Sequence, residues 1–586
     1  MSWEVWTMKS KTSFFDWNLL KKNVSRFAPA WAILTLLLFL SIPLPLLRAL
    51  NESSKEWRVG EARDYLNVAY YLGIVFAICA AMVCASLVFK YLHRDRDAYM
   101  MHAFPMTRSC QFITNAVSGL LFWLVPTLFI GLCEMGVLAL NGIGSLNGLV
   151  WERVGQWLLA FLCFYGIALF CMHLSGRGII AEISYIALNF MFLVLPLLFL
   201  LLVNCYFKGF DYTIPMGFLR LSPVMDLVVM EDDRAVMLWV YAGLGLVMTA
   251  LAWVLYRFRH VERAGDPLAY PWANVAFRVC FTACMTLGFG WVLASAFGTY
   301  NGEKGDIFLP YALIGCALGW FCASMIVERT VKIFRNKKVW LGFAACVGVL
   351  VLTVCGLKYD LLGWQRKVPA TEKISSVEIW TIGDYGDPYG DCITLTDPKD
   401  VELIRSFHAR VIDDPALERS VSELFGERYY GVVHILYHLE GGGTLRRVYE
   451  IPYEDRQTLA TLFAKPENAV AYYEKRLAGD WTYAELVSHY GTEYVLRHYG
   501  SQVCTDIPAL RKAILADAAA GRLPIVNGLV GNNEEELTLY FEQTHSNDPG
   551  ENRYLSISIS PDATETLAVF GLQASTDPSV GEADFD

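Results

Sequence analysis

The feature that most constrains this chain is a series of nine apolar stretches before Lys358, each close to the roughly 20 residues a helix needs to cross a bilayer. They are Ala28–Leu47, Leu66–Phe89, Phe112–Leu140, Trp157–Leu174, Ile179–Phe207, Ala235–Tyr256, Val275–Phe297, Phe308–Val327 and Trp340–Leu357. The third and fifth exceed one bilayer thickness, which predicts tilt, kinks at Pro126 or Pro196, or extension into the interface. Basic residues in the connecting loops set an orientation. With the N-terminus inside, the inner segments hold 19 Lys and Arg and the outer loops hold nine. An inside N-terminus and an odd number of spans place everything after Leu357 outside the cytoplasm. A count of eight or ten would reverse that placement.

Charge divides the chain at the same point. Up to Leu357 there are 28 basic and 21 acidic residues, and from Lys358 onward 20 basic and 37 acidic. The first part has the balance of membrane segments with cationic inner loops. The second lacks the basic face that nucleic acid requires, so no nucleic-acid partner is expected. Thirteen of the 15 cysteines precede Leu357, mostly inside apolar spans, where they act as small hydrophobes. Cys392 and Cys504 either pair outside the cell or stand as two unrelated thiols.

Residues 1–27 are too polar and too long a lead for a cleavable signal peptide. Within Thr12–Phe27, Phe15, Trp17, Leu19, Leu20 and Phe27 can form an apolar helix face with Lys21, Lys22 and Arg26 beside it. Such a helix lies in the inner headgroup layer. An aromatic belt ahead of the first span accounts for the same residues.

The tail, 358–586, reads as α+β with an acidic frayed end at Ala574–Asp586. Strands are expected at Ser376–Thr381, Cys392–Leu395, Glu536–Glu542 and Arg553–Ile559. Gly431–Leu439 and Thr444–Ile451 form a hairpin around Gly441–Gly443. Helices are expected from Asp397–His408, after a turn, and at Tyr453–Leu462, Ala469–Arg476, Thr482–Tyr490 and Ile507–Ala520.

No catalytic, cofactor or metal set emerges. The chain has no Gly-Lys dipeptide and hence no Walker-type phosphate loop, no His-Glu pair of the zinc-protease kind, and no Gly-x-Ser-x-Gly elbow. His434 and His438 lie in a strand-like run that separates them by about 13 Å. Asp384, Asp387 and Asp391 are hard oxygen donors, but their spacing fails the EF-hand pattern and suits a Gly/Pro/Asp turn. Inside the spans, Glu134 is the candidate functional carboxylate, unless its helix ends early and leaves it at the outer interface. Glu182, His173 and Arg278 read as interfacial. Asn115, Asn189 and Asn204 read as hydrogen-bonding partners between helices.

Between the second and third spans lies Arg94-Asp-Arg-Asp-Ala-Tyr-Met-Met-His-Ala-Phe-Pro-Met-Thr-Arg108. Its apolar run, Tyr99, Met100, Met101 and Phe104, is ringed by charge, the pattern of a protein contact. This link is similar to the "Leu-Pro-x-Ser/Thr-Arg" segment of ATP-binding cassette exporter permeases of the type-two class, with Phe104 in place of the common Leu. The first six spans resemble that family as well. A Clostridia-like set of these permeases has extra spans and an extracytoplasmic tail. Lys11-Thr-Ser-Phe-Phe15, Leu221-Ser-Pro-Val224, Ala264-Gly-Asp-Pro267, the basic Glu328–Lys338 loop and Leu362–Pro369 resemble it.

The resemblance implies a polytopic α-helical membrane protein of about nine spans followed by an α+β extracytoplasmic domain. Its divisions are an interfacial helix in 1–27, a six-span core in 28–260, three added helices in 261–357 and the tail in 358–586. It implies a permease in a bacterial plasma membrane, working with a second permease subunit, membrane lipid and a separate ABC ATPase subunit. The ATPase would dock on Arg94, Arg96, Tyr99, Phe104, Pro105, Thr107 and Arg108. Short helices in Lys208–Arg234 would stand at the outer gate, and the cargo would be amphipathic compounds or antimicrobial peptides. A sensor or scaffold whose tail binds a ligand without transport is the alternative. A membrane enzyme fits least.

Overall fold

The structure is a computed structural model that describes residues 14–54, 57–207, 209–210, 216–230, 233–263, 265–297, 304–381, 392–413, 431–451, 459, 461–479, 481–488, 502–523, 525, 537–543, 553–560 and 562–572. It is mostly helical, with small antiparallel sheets in the C-terminal region. The expectations for the Asp384–Asp391 turn, the acidic end, Pro215 and most of Tyr453–Leu462 lie outside the described residues. The chain forms two compact units. One comprises Met1–Leu202, Thr213–Val292 and Pro310–Leu350, the other Val203–Tyr212, Leu293–Leu309 and Val351–Asp586.

In the first unit, α1 (Trp17–Arg26) begins on Asp16, whose carboxylate accepts from the amides of Asn18 and Leu19 at 2.8 and 2.9 Å. This N-cap satisfies donors that the first turn leaves open. The buried side of α1 carries Leu20 and Asn23. The Asn23 amide donates to Asn115 Oδ1 at 2.8 Å and to Ser118 Oγ at 3.1 Å, both on α6 (Arg108–Leu140). Asn115 therefore bonds between helices, as expected.

Among the described residues nine helices are long and apolar enough to cross a membrane: Ala28–Glu52, Arg58–His93, Arg108–Leu140, Gly144–Leu174, Gly178–Val203, Arg234–Phe258, Pro271–Phe297, Phe308–Glu328 and Lys337–Lys358. They coincide with the nine predicted stretches and fit a multi-pass membrane protein. The first is broken at Ile42 into α2 (Ala28–Ser41) and α3 (Pro43–Glu52), because Pro43 takes the first position of a new helix. The others are α4 (Arg58–Phe89), α6, α7 (Asn147–Leu174), α8 (Gly178–Tyr206), α10 (Arg234–Phe258), α11 (Pro271–Phe297), α12 (Lys304–Glu328) and α13 (Lys337–Lys358). Between them lie the link helix α5 (Asp95–His102) and the short α9 (Pro223–Val229).

Helix α7 is the hub, packed against α4, α6 and α10. Trp123 of α6 stacks on Phe161 of α7 at 5.1 Å between ring centroids. Helices α7 and α10 meet backbone to backbone at Gly166 and Gly245, where a Cβ on Gly166 would stand 2.0 Å from the Gly245 carbonyl oxygen. Small residues permit such approach where lipid supplies no hydrophobic drive between helices. Arg278 of α11 pairs with Glu328 of α12 at 3.3 Å.

One sequence expectation for the spans, that for Asn189, is corrected. His173, one residue before the end of α7, is fully buried, against Phe89, Phe112 and Tyr256 with its Nδ1 on the Leu169 carbonyl at 2.7 Å. The Asn189 side chain bonds its own helix, donating to the Tyr185 carbonyl at 2.8 Å. A bond between elements is made there instead by Ser222, whose hydroxyl donates to the Asn189 carbonyl at 2.8 Å.

The tail builds two four-stranded antiparallel sheets of the same plan. The first holds β1 (Ile374–Thr381), β2 (Ile393–Leu395), β3 (Gly431–Leu439) and β4 (Thr444–Ile451), in the order β2-β1-β3-β4. Helix α14 (Pro398–Asp413) follows β2, and α15 (Pro466–Arg476) follows β4. The second holds β5 (Tyr483–Ser488), β6 (Gln502–Cys504), β7 (Leu537–Gln543) and β8 (Arg553–Ile559), in the order β6-β5-β7-β8. Helix α16 (Ile507–Ala519) follows β6, and α17 (Thr564–Val569) follows β8. Among the described residues the succession β-β-α-β-β-α thus occurs twice. Asp397 and Asp506 open the equivalent helices, their carboxylates accepting from the amides of Lys399 and Ala509. One apolar cluster joins both sheets, from Val377 and Ile435 to Leu486 and Leu539.

Within Thr482–Tyr490, where a helix was expected, Tyr483–Ser488 is a strand. Ala484 and Leu486 are buried and alternate with less buried neighbours, a period of two, and β6 and β7 pair with it on either side. Cys392 and Cys504 are separate free thiols.

Candidate functional site

The link between α4 and α6 starts as a short 3-10 turn, Lys90–His93, and Arg94 then turns to extended backbone before α5 begins. The helix is brief because Pro105 follows, and Thr107 caps α6 by accepting from the Cys110 amide at 3.1 Å. Ala98 is the buried anchor of α5. On its outer side Tyr99, Met100 and Phe104 are 56%, 59% and 43% exposed. Arg94, Arg96, Pro105 and Thr107 are exposed around them.

The foot of α5 is fastened by main-chain bonds. Gln111 of α6 donates its amide to the Met101 carbonyl at 2.7 Å, and accepts from the Tyr256 hydroxyl of α10 at 2.8 Å. The Tyr91 and Tyr256 hydroxyls lie 3.0 Å apart. Arg108 does not present its guanidinium outward. Its Nη1 donates to the carbonyls of Arg257 and Arg259, at 3.0 and 2.8 Å, and reaches that of Tyr256 at 3.5 Å. Arg259 is buried and donates to the carbonyls of Met172 and His173 through Nη1, at 3.3 and 2.9 Å, and to that of Leu92 through Nη2, at 3.1 Å. Burial lowers the pKa of Arg259 to about 10, which still leaves it charged at neutral pH. Burial, with Arg108 close by, also lowers that of His102, so this ring is neutral at the foot of the link.

Of the seven link residues singled out in the sequence, six are exposed: Arg94, Arg96, Tyr99, Phe104, Pro105 and Thr107, the last with its hydroxyl capping α6. Arg108 has its side chain committed to the fold. Sequence reasoning missed Gln111, Tyr256 and Arg259, which read there as ordinary polar residues near span ends. A signal was present for Arg259, a cation just past the sixth span with no acidic neighbour before Glu262.

The two motifs at 264–267 and 328–338 come together. Arg329 pairs with Asp266 at 2.5 Å, and Arg263 approaches the same carboxylate at 3.4 Å. Glu134 lies within α6, six residues before its end, and is 0% exposed. Neither of its oxygens has a hydrogen-bond partner. Among the described residues no three metal-ligating side chains cluster. In the tail, His434 is buried against Trp380 while His438 pairs with Glu378.

Comparison with known families, characterised proteins and solved structures gives no significant match to this chain.

Proposed function

We propose that this chain is the permease subunit of an ATP-binding cassette exporter, acting beside a second, identical or related permease and driven by a separate ATPase that docks on α5. The supporting observation is the exposed Tyr99, Met100 and Phe104 surface on a helix bonded to α6 through Gln111, beside the point where Arg108 and Arg259 join the ends of α4, α6, α7 and α10. An apolar patch rimmed by charge is a protein-contact surface. The bond from α6 to α5, and those by which Arg108 and Arg259 join α6 to the ends of α4, α7 and α10, would turn a push on the link into rigid-body movement of the spans.

In this reading the basic loops face the cytoplasm of a bacterium, and the α+β tail stands outside its plasma membrane. The chain performs no hydrolysis itself. The short Met216–Leu221 turn and α9, buried through Pro223 and Leu227, occupy the outer gate. The cargo is an amphipathic compound or antimicrobial peptide, taken by analogy with the family.

The test is purification of the tagged chain in mild detergent from its native host, with co-purifying proteins identified by mass spectrometry and ATP hydrolysis assayed on the same sample. A stoichiometric partner with a Walker-type phosphate loop, and hydrolysis, is the expected result. A chain that purifies alone and inert, where a known transporter keeps its ATPase, would instead indicate a ligand-binding sensor or scaffold.

A further inference from the structure

At the end of α4 and α7 away from α5 lies a buried cation without a close counter-charge among the described residues. Arg153, in the second turn of α7, is 9% exposed. Its Nη1 donates to Gln156 Oε1 at 2.9 Å and its Nη2 to Asn67 Oδ1 at 2.8 Å. Its Nε is buried and has no partner. Among the described residues the one carboxylate within 4 Å is that of Glu152, at 3.9 Å, which is largely exposed. A second guanidinium, Arg234 of α10, shares the ring on which Arg153 rests. The two Cζ atoms are 4.4 and 5.5 Å from the Tyr70 centroid.

Neutral amide oxygens aim a guanidinium without cancelling its charge. Taking such a group out of water is costly unless an opposite charge arrives, and more so near a bilayer. The nearby buried carboxylates do not supply it: Asp226 accepts from the Tyr241 hydroxyl at 2.7 Å, and Glu134 makes no bond to Arg153. The guanidinium fork matches phosphate oxygens, and the exposed side of Asn67 leaves an approach from outside the helix bundle. We propose that Arg153, steadied by Asn67 and Gln156 and reinforced by Arg234, seats a phosphate-bearing anionic group such as the headgroup of an amphiphile. The site stands whether or not α5 docks an ATPase.

The experiment is native mass spectrometry of the full chain released from bilayers of equimolar phosphatidylglycerol and phosphatidylcholine. Wild type is expected to retain the net-anionic lipid over the zwitterionic one by roughly tenfold, the discrimination of one charge-assisted hydrogen bond. Arg153→Gln removes the preference, Arg153→Lys keeps part of it, and Asn67→Ala weakens it while leaving the charge. Displacement by inorganic phosphate identifies the phosphate group itself as sufficient, whereas retention in its presence identifies an acyl-anchored headgroup. Equal retention of the two lipids by wild type overturns the proposal. So does an undiminished preference in Arg153→Gln that elutes as wild type does, or in Asn67→Ala should Arg153→Gln not fold.

Discussion

Arg108 donates to the main-chain carbonyl of Arg259 at 2.8 Å, while the Arg259 guanidinium reaches on to Leu92, Met172 and His173. Two cations are thus linked in series through peptide oxygens rather than carboxylates, and the ends of α4, α6, α7 and α10 are held by one chain of bonds. Removing the second cation leaves the buried carbonyls of Leu92 and His173 without this donor, and that of Met172 with only the His93 ring 3.3 Å away. Arg259→Met is therefore expected to lower stability by about 2–4 kcal/mol, the scale of a few lost bonds to a charged group. Thermal unfolding of the purified chain measures it. Arg259→Lys should recover only part, since an ammonium lacks the fork that spans both helix ends.

The exposed side of α5 makes a different prediction, because its side chains support nothing within the fold. Tyr99→Asp with Phe104→Asp should leave membrane insertion and melting unchanged, yet reduce co-purification of the ATPase at least roughly tenfold, as loss of central apolar anchors does at an interface. Undiminished association would remove the basis for placing the ATPase on this link.

How far the sequence could be read depended on the range of the interaction. The spans were legible because each is a local matter of length and apolarity, and the hairpin Gly431–Ile451 because glycines mark its turn. The polar residues between spans did not announce their partners. Arg259 reads as one more inner cation, and only the packing of α7 against α10 brings it to the Met172 and His173 carbonyls. Tyr483–Ser488 failed for a related reason. Its short apolar run suits a helix or a strand, and pairing with Cys504 and Phe541, both far along the chain, decides it. The doubled β-β-α-β-β-α plan was hidden because strand order is not written in any one segment.

Packing of α7 on α10 admits a sharp substitution test. A Cβ at Gly166 would meet the Gly245 carbonyl oxygen at 2.0 Å, and the obstruction is backbone that cannot rotate away. Gly166→Ala should destabilise the chain by about 1–3 kcal/mol, as overpacking does. On the same helix Gly155→Ala meets nothing within 4 Å and should be neutral or slightly stabilising. Equal melting temperatures for the two variants would show that α7 and α10 are not in this contact.

Glu134 admits a test that separates stability from the proposed transport role. Its carboxyl is buried among apolar neighbours such as Ile130 and Leu138, with no donor on either oxygen, so its desolvation is not offset by hydrogen bonding. Glu134→Leu is expected to raise the melting temperature, since an apolar side chain of similar size avoids that penalty. If the carboxyl serves transport, the same variant and Glu134→Gln will both fold but lose substrate-stimulated ATPase activity in the assembled complex. A destabilised Glu134→Leu would mean that the carboxyl has a structural partner.

The tail carries a pH dependence whose sign can be worked out. His408 of α14 is buried between two hydroxyls, with Nδ1 3.1 Å from that of Tyr437 and Nε2 2.9 Å from that of Tyr449. Burial, with Arg447 nearby, lowers its pKa from 6.5 to about 4, so the folded ring stays neutral where an unfolded one takes up a proton. A neutral ring suits the site, since one nitrogen donates and the other accepts. As pH falls from about 6.5 to about 4 the unfolded chain binds the proton first, and stability is lost over that window, by at most about 3 kcal/mol, then levels off. His408→Gln keeps a donor and an acceptor but cannot titrate. Denaturant unfolding of the full chain at a series of pH values should therefore show the wild type losing stability relative to the variant between pH 6.5 and 4, with parallel curves above pH 7. Parallel curves throughout would mean that the imidazole protonates in the folded tail as readily as in water.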